Sequence, residues 1–302
     1  MEAAGRGIAT ISARYGTILE VWYSDLTLGE LTGDPLTQRA DADPERFVWF
    51  VPTEARIELD APPDGAADAY LRLHLLSARL VRPRELNVYG IFDQLPLTAW
   101  TDAGAVHPAD LDDVRSLRRR AGRPLTVHSI DKFPRMTDFV TPVGVRIADA
   151  SRVRLGAYLA PGTVVMHEGF VNFNAGTLGP CMVEGRITAG SVVDAGSGIG
   201  AGSSIMGTLS GGGTHMTTIG KRCLLGANAG TGISLGDDSA VEAGLYLTQG
   251  TLVTLPDGSV VKAKELSGKP GLLFRRHSVN GNVEAVPWKP GKFSGLNPQL
   301  HE

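Results

Sequence analysis

Aliphatic residues return at every sixth position through most of the stretch from Ile147 to Val253. Ile147, Val153, Leu159, Val165 and Val171 form one run, and Val183 stays in phase with it. Ile187, Val193, Ile199 and Ile205 form a second run, Ile219 and Leu225 a third, and Leu235, Val241, Leu247 and Val253 a fourth. Four places after most of them sits a small residue, as at Ala157, Thr163, Ser191, Ser197, Ser203, Cys223, Ala229, Ser239 and Thr251. A period of six is neither the helical period nor the alternation of a half-buried strand. It is the period of a hexapeptide β-helix, in which short strands meet at corners and three hexads close one triangular coil. The aliphatic side chains stack inside, and each coil buries its apolar edge on the next, so the array is one continuous core. Four separate in-phase runs argue against a Gly-rich β-sandwich with chance periodicity.

Composition narrows the function classes. A chain of 302 residues with 42% hydrophobic content is globular and long enough for about two domains. A net charge of -3 gives no strong pull toward nucleic acid or a membrane surface. The 38 glycines concentrate in the repeat region, where corners need them. Two cysteines, Cys181 and Cys223, do not make a disulfide scaffold; both fall among the coils and read as packing residues. There is no basic-then-apolar leader and no apolar run long enough to cross a bilayer. The pattern is that of a cytoplasmic enzyme or binding protein.

Ahead of the coils, Gly7–Ser12 and Thr17–Tyr23 read as strands around a turn at Arg14-Tyr15-Gly16. A loop is expected over Thr27–Pro44, then strands at Phe47–Val51 and Ala55–Leu59. After the breaker Pro62-Pro63-Asp64-Gly65, a helix is expected at about Ala67–Leu80, with Leu71, Leu75, Leu76 and Ala78 on one apolar face and His74 either structural or solvated rather than a ligand. Asp110–Arg120 reads as a second helix, acidic at its start and basic at its end, which suits the helix dipole. Thr126–Ile130 reads as a strand.

The expected organisation is an α/β domain over 1–142, the coils over 143–253, and a C-terminal β segment and tail over 254–302, in a mostly β chain. Two stretches break the hexads: Phe170–Pro180, rich in Asn and Gly, and Met206–Thr218, which carries a triple glycine. Insertions on one face of a solenoid commonly carry binding. Beyond the coils, hairpins are expected through Pro256-Asp257-Gly258 and around Asn280-Gly281, and a loose tail from Pro287.

Hexapeptide coils host acyltransferases, zinc hydratases and non-catalytic trimers, so fold alone does not choose. A zinc hydratase needs several histidines, and the coils offer only His167 and His215. The ordered set KFPRM (Lys132–Met136), HEGFVNFNAGTLG (His167–Gly179), MVEGRI (Met182–Ile187), SIMGTLSGGGTH (Ser204–His215), KRCLLGANAG (Lys221–Gly230), VEAGLY (Val241–Tyr246) and FRRHSV (Phe274–Val279) resembles the tetrahydrodipicolinate N-succinyltransferase family, in its actinobacterial-type branch. The resemblance implies a homotrimer of left-handed parallel β-helices with active sites between subunits. It implies succinyl transfer from succinyl-CoA to the amine of ring-opened tetrahydrodipicolinate, in lysine and diaminopimelate biosynthesis. Another CoA-dependent N-acyltransferase, using an acetyl donor, is the alternative on this scaffold.

Carried over residue by residue, the resemblance makes Glu184 of MVEGRI the catalytic acid. Its carboxylate is suited to take a proton from the amine or to attack the thioester. The competing structural role for Glu184 is an ion pair with Arg186, two residues on along the same face of a strand. The family's CoA-binding positions fall on Arg186, Ala201, Ser204, Ala227, Glu242, Ala243, Gly250, Lys262, Arg276, His277, Ser278 and Val279. Lys262, Arg275 and Arg276 supply cations for phosphates, and backbone amides at Gly226 or Ala227 suit a thioester oxyanion. The family also binds a Mg2+-type ion through two acidic residues. One aligns with Glu168, and the other position is Ser151 here. A hydroxyl in place of a carboxylate removes one hard oxygen ligand, which puts that metal in doubt and leaves two alternatives: Glu168 from three subunits holds an ion, or the site is empty.

Overall fold

The computed structural model describes residues 1–33, 41–207 and 216–288. It divides into two compact units, Met1–Pro134 with Asp138–Val140, and Arg135–Thr137 with Thr141–Glu302.

In the first unit, β1 (Glu2–Ser12) and β2 (Ile18–Leu28) pair as the expected hairpin. β3 (Asp41–Asp43) and β4 (Val48–Glu58) complete a sheet in the order β2-β1-β4-β3. The loop expected over 27–44 is therefore shorter than its polarity suggested, and its part at 34–40 lies outside the described residues. The two strands expected at 47–51 and 55–59 are one. Pairing with β3 ends at Phe50, so Pro52 lies where β4 is an edge strand, and edges tolerate proline.

α1 (Gly65–Ser77) packs on this sheet close enough that a Cβ on Gly5 would stand 2.7 Å from the Leu71 side chain. The helix is buried on every side from Ala69 through Ser77, not along one stripe. Its polar members are therefore paired. Arg72 donates to Asp68 and to the carbonyls of Glu58, Leu59 and Asn87. His74 Nε2 accepts from the Tyr23 amide at 3.3 Å, and its Nδ1 stands 2.7 Å from the Tyr70 carbonyl, which fixes the Nδ1–H tautomer. Burial pushes the His74 pKa down to about 4, in line with a structural histidine. Beyond α2 (Ile91–Gln94), β5 (Thr98–Thr101), β6 (Gly104–Val106) and β7 (Val127–Asp131) form a small sheet in the order β6-β5-β7. Leu111 and Val114 of α3 (Leu111–Arg120) close a core with Ala99 and Val106.

The second unit is a parallel β-helix. Its first face stacks Arg146–Ile147, Val164–Val165, Met182–Val183, Gly198–Ile199, Leu224–Leu225 and Ala240–Val241. Its second face stacks Phe170–Val171, Arg186–Ile187, Ser204–Ile205, Gly230–Thr231 and Tyr246–Leu247. Its third stacks Ala157–Leu159, Ala175–Thr177, Val192–Val193 and Thr218–Ile219. In most hexads the aliphatic is the second residue of a two-residue strand or the last of a three-residue one; Val153 and Leu235 pair through isolated bridges, and Val253 is the middle residue of Leu252–Thr254. Val165, Val183, Ile199, Leu225 and Val241 stand in one parallel register, and all but the last are 0% exposed. Only Ile147, on the open first coil, is partly exposed among the expected inward aliphatics.

Phe170–Pro180 is not an insertion. It is ordinary coil in which Thr177 takes the inward place, 0% exposed, with its hydroxyl 2.7 Å from that of Thr163. A buried hydroxyl with a partner is tolerated where an aliphatic was expected. Thr231 does the same, donating to the Ile233 carbonyl. Of the second irregular stretch, residues 208–215, His215 among them, lie outside the described residues.

After the coils, Leu252–Thr254 and Val260–Lys262 form the expected hairpin, and Leu272–Arg276 pairs with Val283–Pro287 around Asn280-Gly281. Leu272–Arg276 also joins the first face in parallel, and Phe274, 1% exposed, continues the inward ladder opposite Val241. Most of the tail expected from Pro287, residues 289–302, lies outside the described residues.

Candidate active site

One edge of the prism, where the first face turns into the second, gathers much of the chemistry. Successive coils place 166–169, 184–185, 200–203, 226–229 and 242–245 at this edge. The second of these corners is short. Val183 and Ile187 are four residues apart rather than six, yet Arg186–Ile187 keeps register with the strands on both sides. Two residues, Glu184 and Gly185, therefore make a turn for which neighbouring coils use four. Both of their amides donate to the Ile199 carbonyl, at 2.8 and 3.0 Å, which pins the backbone of Glu184. No side chain fits at position 185, where a Cβ would stand 2.3 Å from Ser203 Oγ. Glu184 is half-buried and makes no ion pair with Arg186, so the structural role weighed for it is not realised.

Glu168, Glu184, Ala201, Ala227, Glu242 and Ala243 all fall on this edge, coil after coil. The Asn228 amide donates to the Ala201 carbonyl and the Gly244 amide to the Ala227 carbonyl, both at 2.8 Å, so the alanines stack in a row. All three are exposed, and their own amides donate to no acceptor among the described residues. By contrast the Gly226 amide is engaged by the Val241 carbonyl. Of the two amides suggested for an oxyanion, Ala227 is therefore the one open to a ligand. Glu242 holds the start of the next segment: its carboxylate accepts from the Arg276 amide at 2.8 Å, and the Arg276 guanidinium reaches the Ala243 carbonyl. His277, Ser278 and Val279 continue from there into the hairpin turn. Arg275 is paired with Glu284 at 2.6 Å, so its charge is already compensated. Arg186 and Ser204 are adjacent first residues of second-face strands. Gly250 and Lys262 stand off this edge, Gly250 in the turn after Tyr246–Leu247 and Lys262 at the end of the strand paired with Leu252.

Beside the short corner opens a cleft of about 630 Å3, lined by Asp149, Arg152, His167, Glu168, Phe170 and Arg186 with Gly185, Gly202 and Ser203. Ser203 Oγ is buried and has no hydrogen-bond partner among the described residues. The Asp149 carboxylate accepts from the amide and hydroxyl of Ser151, at 2.9 and 2.7 Å, and these bonds hold its pKa below the usual carboxylate value.

Comparison with known proteins settles the family. The profile described as the middle region of tetrahydrodipicolinate N-succinyltransferase matches residues 95–135, and that described as the hexapeptide repeat of succinyl-transferase matches residues 216–249. The 2,3,4,5-tetrahydropyridine-2,6-dicarboxylate N-succinyltransferase of Pseudomonas aeruginosa is 59% identical over 248 residues, 80% of this chain and 71% of that protein. The protein of the same name from Pseudomonas putida is 55% identical over 247 residues, with the same coverage. The chain belongs to the tetrahydropyridine-dicarboxylate N-succinyltransferase family. A crystal structure from Campylobacter jejuni, described provisionally as a 2,3,4,5-tetrahydropyridine-2-carboxylate N-succinyltransferase, superposes with a TM-score of 0.81 at 28% identity, covering 94% of this chain and 92% of that one. Membership makes the coils a left-handed β-helix of the acyltransferase type.

The metal expected in this succinyltransferase family meets a poor donor set within one chain. Among the described residues, no three His, Cys, Asp or Glu side chains gather as a metal-holding group. Ser151 is bonded to Asp149, and the cleft offers only the Asp149 and Glu168 carboxylates, fewer hard oxygens than a divalent cation takes. No step below passes through a metal. Sequence reasoning missed Asp149, Arg152 and Ser203. Arg152 and Ser203 sit directly before an inward or ligand-facing strand residue, a place the repeat marks as corner and nothing more. The four-residue spacing from Val183 to Ile187 was the one signal that set this edge apart.

Proposed function

We propose that this chain transfers a succinyl group from succinyl-CoA to the amine of ring-opened tetrahydrodipicolinate, giving N-succinyl-2-amino-6-oxopimelate and CoA. Family membership supports the reaction, and Glu184, its backbone pinned and its carboxylate without an ion pair among the described residues, on an edge of stacked exposed alanines is the observation that carries the site. The amine nitrogen attacks the thioester carbonyl, a C–N bond forms, and the C–S bond breaks as CoA leaves. The amine must lose a proton in this step. Glu184 accepts it. On the alternative route the Glu184 carboxylate attacks the thioester and CoA leaves as thiolate. The amine then displaces the acyl group from Glu184, and the amine proton passes to the freed carboxylate or the thiolate. Hydroxylamine trapping of an acyl-enzyme separates these two roles. The Ala227 amide is suited to the developing oxyanion. The pantetheine arm lies along Ala201, Ala227 and Ala243, where small residues permit close approach. Arg186 takes the succinyl carboxylate through its planar fork, and Arg276 and Lys262 face the phosphates.

The working unit in this reading is a homotrimer in the cytoplasm, with the open side of each cleft closed by a neighbouring copy. Three Glu168 carboxylates meeting between copies are then the available ligands for a divalent ion. Among the described residues, no helix is long and apolar enough to cross a membrane. The test is CoA release with the cyclic imine and either succinyl-CoA or acetyl-CoA. Release with succinyl-CoA at least tenfold faster supports the reading; preference for acetyl-CoA, or no release with either, overturns it.

A further inference from the structure

The proposed reaction brings three carboxylates to one site, one on the succinyl group and two on the acceptor. The family resemblance accounts for one cation, Arg186, on the donor side. The cleft holds a second guanidinium, Arg152, together with His167. Arg152 is partly buried, and it is held by main chain rather than by an acid. Its Nε donates to the Gly169 carbonyl at 3.2 Å and its Nη2 to the Glu168 carbonyl at 2.9 Å. It forms no ion pair with a carboxylate among the described residues. The nearest acid in sequence that lines the cleft, Asp149, accepts hydrogen bonds from Ser151 and acts on Arg152 only through space, without an ion-pair contact among the described residues.

Two consequences follow from that anchoring. The carbonyls fix the orientation of the guanidinium and Asp149 offsets its charge only through space, so its free N–H donors are preorganised for an anion. Five N–H donors are available to an arginine, and the two carbonyls use two of them. Arg152 lines a cleft of about 630 Å3, within the range of small-molecule sites, roughly 300–1,000 Å3. Phe170, beside Arg186 on the second face, adds an apolar side chain to the lining of the cleft.

We infer that Arg152 binds a carboxylate of the acceptor and so selects a dicarboxylic amine, while Arg186 serves the donor. This rests on the succinyltransferase reading above and assigns its acceptor subsite. Arg152 touches substrate in this scheme and does not take part in proton transfer.

The test uses Arg152→Gln and Arg152→Lys in the full chain, with steady-state kinetics in both substrates. The Gln variant is expected to raise KM for tetrahydrodipicolinate at least tenfold and to leave KM for succinyl-CoA within twofold. Lys keeps the charge but not the planar fork, and is expected to recover only part of the loss. A structural role is separated by acceptor selectivity. L-2-aminopimelate keeps both carboxylates, 2-aminohexanoate lacks the distal one, and 6-aminohexanoate lacks the one beside the amine. Wild type is expected to discriminate against both truncated amines. Arg152→Gln is expected to lose discrimination against one of them, which identifies the carboxylate bound. Full discrimination retained by Arg152→Gln, or a parallel rise in both KM values, overturns the assignment. If the Gln variant does not fold by circular dichroism, the same selectivity is read from the Lys variant. Absence of succinyl-CoA turnover in wild type counts against the reaction itself and not against Arg152 alone.

Discussion

Gly185→Ala probes the short corner directly. The glycine is not needed for a left-handed backbone, since its φ is not among the positive values, so the substitution tests space alone. A Cβ there would meet Ser203 Oγ at 2.3 Å and the carbonyl oxygens of Gly200 and Ser203 at 2.7 Å. The hydroxyl can rotate away, but the two carbonyls belong to the next coil and cannot. Overpacking of this kind costs about 1–3 kcal/mol. For a unit of this size that is a fall in Tm of roughly 2–12 °C. Relief requires the corner to move, and Glu184 moves with it. A displacement near 1 Å lowers kcat by about 100-fold. Differential scanning fluorimetry and the CoA-release assay read the two effects. Adding Ser203→Ala removes one of the three contacts and is expected to restore part of the Tm and little of the kcat. Gly198→Ala is the control, because its Cβ would lie an ordinary 3.5 Å from Leu224. Wild-type Tm and kcat in Gly185→Ala would refute the argument that this corner is closed by two residues.

His74, neutral in the fold with its pKa lowered from 6.5 to about 4, makes stability depend on pH. Between these values the unfolded chain binds a proton that the folded chain does not, so stability is full above pH 6.5 and is lost as pH falls toward 4. The loss is roughly 3 kcal/mol, and His74→Gln is expected to flatten that limb in urea unfolding measured from pH 7 to 4. Cys181 and Cys223 are 0% exposed, and burial pushes their thiols up to about 12 and about 11. Neither is expected to react with a thiol reagent at pH 8 in the native protein, while both react in denaturant; fast native labelling of either contradicts their place in the core.

The coil was legible because its period is carried by the inward residues themselves, from Val153 to Val253, and burial of those residues is what closes each turn. Thr177 and Thr231 hid two turns, since a hydroxyl paired inside the coil leaves no apolar mark in sequence. Hence Phe170–Pro180 read as an insertion. α1 was misread in a similar way. Arg72 and His74 look like a polar face, but each is buried with hydrogen-bond partners from other segments, which no local pattern reveals. The candidate site was legible through ordered motifs, and stacking explains why residues 16 or more apart in sequence, such as Ala227 and Ala243, share one edge. Arg152 was not legible, because its role rests on carbonyls supplied by the next coil.

The central claim is that the Glu184 carboxylate does chemistry at this edge. Glu184→Gln keeps the size of the side chain and removes the charge. Positioned proton transfer contributes about 100- to 10,000-fold, so kcat with succinyl-CoA and tetrahydrodipicolinate is expected to fall at least 100-fold, with CoA binding by calorimetry within threefold of wild type. Turnover by Glu184→Gln within a few-fold of wild type would contradict the account.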